Sequence, residues 1–285
     1  MMVMIVLALI FFGLCLGSFV NALVWRVHEQ AHESDKKKPS AKRLRDLSVS
    51  QGRSMCPDCG HELAPKDLVP VLSWLWLRGK CRYCRKPISW QYPLVELATA
   101  GLFVASYAWW PLKLGGVETA VFGAWLVLVV GFMALLIYDL RWMLLPNRIV
   151  FPLVAVAGVQ AVLRAVTTHD GHLASLVASL LAVLVASGFF YLLYQLSSGK
   201  WIGGGDVKLG LVLGLTLGTP ALAALTLFAA SLLGSLAALP LLIAKRYNRR
   251  SVIPFGPFLI IGCIVAQLFG LHIIHWYQNL LLFAV

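Results

Sequence analysis

Two sets of residues in this 285-residue chain have the types and spacing needed for chemistry. The first is Cys56-Pro57-Asp58-Cys59 and, after 21 intervening residues, Cys81-Arg82-Tyr83-Cys84. Two CxxC knuckles at this separation can present four thiolates to one tetrahedral Zn2+. Four thiolates fill the coordination sphere, so Cys56, Cys59, Cys81 and Cys84 are expected to staple a small domain and not to hydrolyse anything. Redox thiols or an iron–sulfur cluster are the alternatives. The second set is two carboxylates. Asp139 lies in Leu136-Ile137-Tyr138-Asp139-Leu140-Arg141-Trp142, and Asp206 lies in the glycine-rich stretch Gly203-Gly204-Gly205-Asp206-Val207-Lys208. Each sits at the edge of an apolar run, where an acid is costly enough to mark a functional site. Two nearby carboxylates can share one proton, because ionising both is expensive. Such a dyad can activate water and polarise a scissile carbonyl.

The elements that position these residues follow from composition. The chain is 60% hydrophobic and 13% charged. Its apolar runs repeatedly approach the roughly 20 residues that cross a bilayer. The expected fold class is an all-α polytopic membrane protein of about eight transmembrane helices with a small cytoplasmic zinc-binding domain. Spans are expected near 3–25, 93–110, 119–138, 149–165, 173–196, 207–219, 220–244 and 255–280. The first run has no basic residue before it and no clear small-residue cleavage site, and is read as a retained span. The domain division is then 1–25, first transmembrane helix; 26–92, cytoplasmic loop with the cysteine pairs; and 93–285, catalytic helix bundle.

The net charge of +12 could suggest nucleic acid, but its placement argues against that partner. Residues 26–92 hold 14 Lys/Arg, and the loops near 139–148, 197–208 and 245–250 hold two, two and four. The opposite side has only Lys113 and Arg164. This asymmetry places the basic loops in the cytoplasm and both termini outside. Span parity then brings Asp139 and Asp206 to one face at similar depth. The reducing cytoplasm argues against structural disulfides.

Other residues admit two readings each. Gly203, Gly204 and Gly205 can supply positive φ and let a substrate backbone come close. Lys208 can bias Asp206, or serve as a positive-inside anchor. Pro254 and Gly256, in Ile253-Pro254-Phe255-Gly256-Pro257, form either a helix-entry turn or a rigid backbone that holds extended substrate. Glu96 either answers the dipole of the helix that starts near Pro93 or positions substrate. Gly17, Ser18 and Asn21 either pack helices or belong to the site. Residues 26–55 read as a solvated, basic linker that can touch anionic lipid. Residues 67–80 read as a short amphipathic piece at the membrane interface, with a packed domain core as the alternative. Cys15 and Cys263 read as core residues. His169, His172, His272 and His275 fall on the outward side, without a role.

Taken together, the motifs resemble the type IV prepilin peptidase family of GxGD membrane aspartyl proteases. The resemblance runs over nearly the whole chain. It rests on Gly17 to Asn21, the paired CxxC region with Leu77-Arg78-Gly79-Lys80-Cys81-Arg82, Ile88 to Glu96, Asp139 before Pro146, Gly203 to Lys208, and Pro254 to Pro257. It implies a bacterial inner-membrane enzyme that cleaves the basic leader of prepilins or pseudopilins at the cytoplasmic face. It also implies methylation of the new N-terminus with S-adenosylmethionine, since many relatives with the CxxC domain are bifunctional. Residues 28–52 look longer than in a minimal relative, and Asn147 stands where many relatives have an acid. A proton- or cation-coupled transporter and a zinc-stabilised membrane scaffold are the rival readings.

Overall fold

The computed structural model describes residues 2–38, 40–49, 51–167, 171–243 and 253–282. Among them the regular structure is helical, apart from two isolated β-bridges. The helices are α1 (Met2–Ser34), α2 (Ala41–Asp46), α3 (Leu72–Trp76), α4 (Gln91–Ala108), α5 (Val117–Trp142) and α6 (Asn147–Thr167). They continue with α7 (His172–Val183), α8 (Phe189–Ser197), α9 (Gly204–Leu217), α10 (Pro220–Ile243) and α11 (Gly256–Leu282). A π-helical turn, Leu184–Gly188, joins α7 to α8 in one continuous helix. The expected loop Lys245–Arg250 and His169 lie outside the described residues.

Among the described residues, six helices are long and apolar enough to cross a membrane: α1, α5, α6, α7–α8, α10 and α11. The other two expected spans are helical but weaker. α4 has 18 residues and carries Gln91 and Glu96, and α9 has only 14 residues. At 1.5 Å per residue, α9 is about 21 Å long, short of the roughly 30 Å hydrocarbon core.

The chain forms two compact units: Met1–Ala108 with Val129–Ala134, and Trp109–Leu128 with Leu135–Val285. They cut the chain differently from the expected topological division, because compactness follows packing and not the side of the membrane. In the first unit, α1 packs on α4 through glycine. A Cβ at Gly13 would lie 2.5 Å from the Ala100 Cα, and one at Gly17 would lie 2.6 Å from the Glu96 Cα. Gly17 is thus a close-packing residue, as small residues four apart often are between membrane helices.

Residues 26–55 differ from the expected solvated linker. α1 continues to Ser34, and α2 forms a second short helix. Arg26 donates to the Ser48 and Val49 carbonyls, and Gln30 donates to Leu47. The side chain of Glu33 is 4% exposed and pairs with Lys36 and Arg43. Arg26, Glu29, Glu33, Lys36 and Arg43 look like a linker's charges in sequence, but they engage one another and backbone carbonyls.

In the second unit, α9 lies against α7 and the π turn. Added Cβ atoms would come within 2.8 Å of the Ser187 Cα at Gly210, and within 2.5 Å of the Val183 Cα at Gly214. The Ser187 hydroxyl donates to the Val207 carbonyl at 2.8 Å. The C-terminal end of α9 is satisfied by Gly218, in the left-handed conformation, and by the Arg164 guanidinium on the Thr216 carbonyl. Orphan carbonyls at a buried helix end need such partners. Gly214→Val should therefore destabilise the protein by about 1–3 kcal/mol through overpacking. Gly101→Ala meets nothing within 4 Å and should be neutral by comparison. Thermal unfolding of the two variants in detergent checks this.

Candidate functional site

Asp139 and Asp206 both belong to the second unit. Asp139 occupies the last turn of α5, and Asp206 the first turn of α9. Asp139 is 5% exposed and Asp206 is half-buried. They lie close enough for the charge of Asp139 to act on Asp206. Their helix ends differ in polarity. A carboxylate is favoured at the N-terminus of α9 and disfavoured at the C-terminus of α5. α11 corrects the imbalance, because the Gly256 N–H at its N-terminus donates to Asp139. The Gly203 N–H donates to Asp206, the side-chain half of a capping box.

Gly256 leaves room for the Asp139 carboxylate. A Cβ there would lie 2.5 Å from Asp139 Oδ2. Gly256 is thus placed against one of the dyad carboxylates, and its smallness and N–H serve Asp139. Gly256→Ala is expected to displace the Asp139 carboxylate and lower kcat by about a hundredfold, since misplacement on the ångström scale costs about that much. Steady-state kinetics should show the loss in kcat and little of it in KM. Pro254, half-buried, precedes α11, and Pro257 occupies its first turn, where a missing N–H costs nothing.

Gly203, Gly204 and Gly205 do not adopt positive φ, contrary to expectation; Gly203 has φ −75°. The left-handed residues are Ser198 (φ 50°) and Gly199 (φ 75°), which end α8. What Gly205 provides is room: a Cβ would lie 3.1 Å from the Leu145 Cβ. Leu145 also comes within 3.7 Å of the position a Cβ would take on Gly256. This leucine thus fits against the glycines beside both carboxylates, which nothing in its own sequence context announces. Lys208 turns away from Asp206. Its ammonium donates to Asn147 Oδ1 at 2.9 Å and sits 5.9 Å from the Phe151 ring. Asn147 is thus the partner of Lys208.

The four cysteines form the second site, within the first unit. Their sulfurs all lie within 4.8 Å of one another, with Cys56 and Cys84 at 3.9 Å. Tetrahedral zinc with Zn–S near 2.3 Å requires S···S of about 3.8 Å. The donor set and its geometry therefore fit a metal such as zinc. The two knuckles are built alike. A β-bridge closes each, Met55 with Glu62 and Lys80 with Pro87. In each, the fourth residue after the first cysteine donates back to that cysteine's carbonyl, Gly60 to Cys56 and Arg85 to Cys81, and both have positive φ. Burial opposes ionisation of Cys81, but the Cys84 and Tyr83 N–H groups bring its pKa down to about 7. Asp67 locks the second knuckle, accepting from Arg82 Nε at 2.6 Å and from the Tyr83 hydroxyl at 3.0 Å. Burial pushes the Asp67 carboxyl up, and these two partners hold it below the usual carboxylate range.

Glu96 lies in the second turn of α4, so the dipole account does not apply. Its buried carboxylate accepts from the Val71 N–H at 2.7 Å and from Ser18. Asn21 donates to the Gly17 and Tyr92 carbonyls and accepts from Gln91. Residues 67–80 include α3, on which Trp76 is 87% exposed and Leu72 and Leu75 are over half exposed.

Comparison with known proteins places this geometry. Residues 11–110 match the model of the bacterial peptidase A24 N-terminal domain, and residues 126–239 match that of the type IV leader peptidase family. A Bacillus subtilis protein named prepilin leader peptidase/N-methyltransferase is 34% identical, over 96% of this chain and 98% of its own. The chain belongs to the type IV leader peptidase family. Relatives of the same name from Aeromonas hydrophila and Pseudomonas aeruginosa are 33% and 34% identical, each over 93% of this chain and 91% and 90% of their own. No solved structure matches significantly. Membership of this family and the six apolar helices make the chain a membrane protein.

Proposed function

We propose that this leader peptidase cleaves the leader from prepilins or pseudopilins at the cytoplasmic face of the bacterial inner membrane, and methylates the amine so exposed. The observation that carries the reading is the Asp139/Asp206 pair at two helix ends, with Gly256 N–H on one and Gly203 N–H on the other. The ionised member takes a proton from water, while the protonated member polarises the scissile carbonyl. The roles exchange as the amine leaves. The pair titrates as a unit. Gly203, Gly204 and Gly205 offer a backbone without side chains for extended substrate, and Pro254 stiffens the entry to α11.

S-adenosylmethionine supplies the methyl group. Zn2+ on Cys56, Cys59, Cys81 and Cys84 is structural. The basic loops set the cytoplasmic orientation. Eight crossings, counting α4 and the short α9, keep those loops on one side. The division 1–25, 26–92 and 93–285 then describes anchor, cytoplasmic loop and bundle. Membrane lipid is the surrounding partner, and nucleic acid is not one.

The test is purified protein in detergent with a prepilin peptide, followed by mass spectrometry. Two products, with the mature one heavier by a methyl group when the donor is present, are expected. An uncut peptide under conditions where a known relative cuts it would overturn the reading.

A further inference from the structure

The stretch Leu68-Val69-Pro70-Val71-Leu72-Ser73-Trp74-Leu75-Trp76-Leu77 carries no charge and lies between Lys66-Asp67 and Arg78-Gly79-Lys80. An apolar run this short cannot cross a bilayer, but it suits a segment that enters one and returns. We propose that residues 68–77 are such a re-entrant segment. It dips among the acyl chains of the leaflet on the knuckle side of the membrane, and so holds the cysteine-knuckle domain down on the bilayer.

The depth follows from one hydrogen bond. Glu96 accepts from the Val71 N–H at 2.7 Å and from Ser18. A Cβ at Gly17 would lie 2.6 Å from the Glu96 Cα, so Glu96 stands at the height of Gly17 and Ser18 on α1. α1 is among the helices able to cross a membrane, and Arg26 is the first charged residue in it. Ser18 and Arg26 are separated by about 12 Å along the helix, at 1.5 Å per residue. Val71 therefore lies well to the hydrocarbon side of the first charge, against roughly 15 Å for half of the hydrocarbon core. A helix climbing from Val71 to Leu77 gains only about 9 Å. All of α3 thus stays below the level of Arg26.

The side chains and the backbone both suit that depth. Leu72, Leu75 and Trp76 are exposed on α3, and so are Leu94 and Leu97 on α4, to either side of Glu96 in sequence. Ser73, Trp74 and Leu77 instead line a cavity together with Ser18 and Glu96, so α3 turns one face to the protein and the other outward. Backbone in hydrocarbon must find its hydrogen bonds within the protein. Ser73, Leu75 and Leu77 donate to the carbonyls of Val69, Val71 and Ser73, and the Trp74 indole donates to Ile88 at 3.1 Å. Pro70 has no N–H to place. Val71 forms the tip with φ 61°, and its N–H, an orphan at the start of α3, is the one Glu96 takes. A carboxylate at this depth is costly, and fixing the tip accounts for it. Lys66, Arg78 and Lys80 are exposed at the two ends, where anionic headgroups suit them. At the depth set by Glu96, acyl chains are the occupant that covers the outward face.

The experiment is photolabelling of the full-length protein in vesicles of phosphatidylcholine and phosphatidylglycerol. One phosphatidylcholine probe carries a diazirine within its acyl chain, and a second carries it on the headgroup. Trypsin cuts after Arg53, Lys66 and Arg78, so residues 67–78 form one peptide and residues 54–66, from the first knuckle, form the control. The acyl-chain probe should label 67–78 and spare 54–66. Leu72→Asp combined with Trp76→Asp should cut that labelling about tenfold, because an acid in hydrocarbon opposes insertion. Trp76→Phe should leave it unchanged, and metal content shows that the knuckles survive in each variant. Labelling of 67–78 by the headgroup probe alone would put the segment on the surface. No labelling by either probe would give its outward face to a protein partner or a second copy. Either result in the parent overturns the insertion whatever the variants do, and neither touches the peptidase reading, which cleavage tests separately.

Discussion

Asp139→Asn and Asp206→Asn are each expected to reduce leader cleavage by about three to four orders of magnitude, while thermal stability and bound metal stay as in the parent. The carboxylates differ from amides chiefly in their ability to carry a proton, and proton transfer by a positioned side chain is worth about 10²–10⁴ in rate. Asparagine keeps the size and still accepts the Gly256 or Gly203 N–H through its carbonyl oxygen. The fold therefore has little reason to change. The double variant should be no slower than the worse single one, since residues acting as a unit are grossly non-additive. The parent should show a bell-shaped pH–rate profile whose limbs belong to the pair. A single variant retaining activity within about tenfold of the parent would sink the dyad. It would return the scaffold and the transporter to consideration.

Chelating the metal should have an effect as large, in the other unit. Structural zinc in small domains contributes on the order of 10 kcal/mol of apparent binding free energy at neutral pH, and that energy is folding energy. Between Ser54 and Ile88 the regular structure is one 3-10 turn, α3 and two single β-bridges, so little else holds the knuckles. Treating the protein with a strong chelator, or replacing Cys81 by Ser, should open this segment to limited proteolysis. The far-UV helical signal should hardly move, because the long helices contain none of the ligands. Protease resistance that persists in fully metal-free protein would show that Asp67, Arg82 and Tyr83 suffice, and would remove the metal's structural role.

What the sequence made legible, and what it hid, divides along the range of the interactions. The cysteine site is local: each ligand pair lies in one tight turn, and the spacing specifies it. Asp139 and Asp206 stand out because acids are rare at hydrocarbon edges, and the structure brings them within electrostatic reach of each other. The remaining contacts connect residues distant in the chain. Gly256 reads as a turn residue, yet its N–H and its lack of a Cβ belong to Asp139. Gly203 to Gly205 read as sources of positive φ, but the turn is made at Ser198 and Gly199, and Gly205 is small for packing against Leu145. Glu96 reads as a dipole partner until α4 is seen to begin at Gln91. Residues 26–55 read as linker because composition reports charge and not the pairing of Glu33 with Lys36 and Arg43.

The π turn Leu184–Gly188 has one more consequence, which concerns azimuth. Each residue of an α-helix advances the next by about 100°. A widened turn accommodates an extra residue, and so resets the direction in which everything after it faces. Downstream, Tyr194 lies over the turn before Asp206: a Cβ at Gly199 would meet its ring at 3.0 Å, and one at Gly204 at 3.8 Å. Shortening Leu184–Gly188 by one residue would let the α-helix run through unbroken. Without that deletion, an α-helix wound through the same residues would rotate Tyr194 by about 100° relative to α7, away from the glycines it covers. The bulge thus works as a fixed angular offset. It lets one continuous helix present small residues to α9 at one height and an aromatic ring to the glycine turn at another.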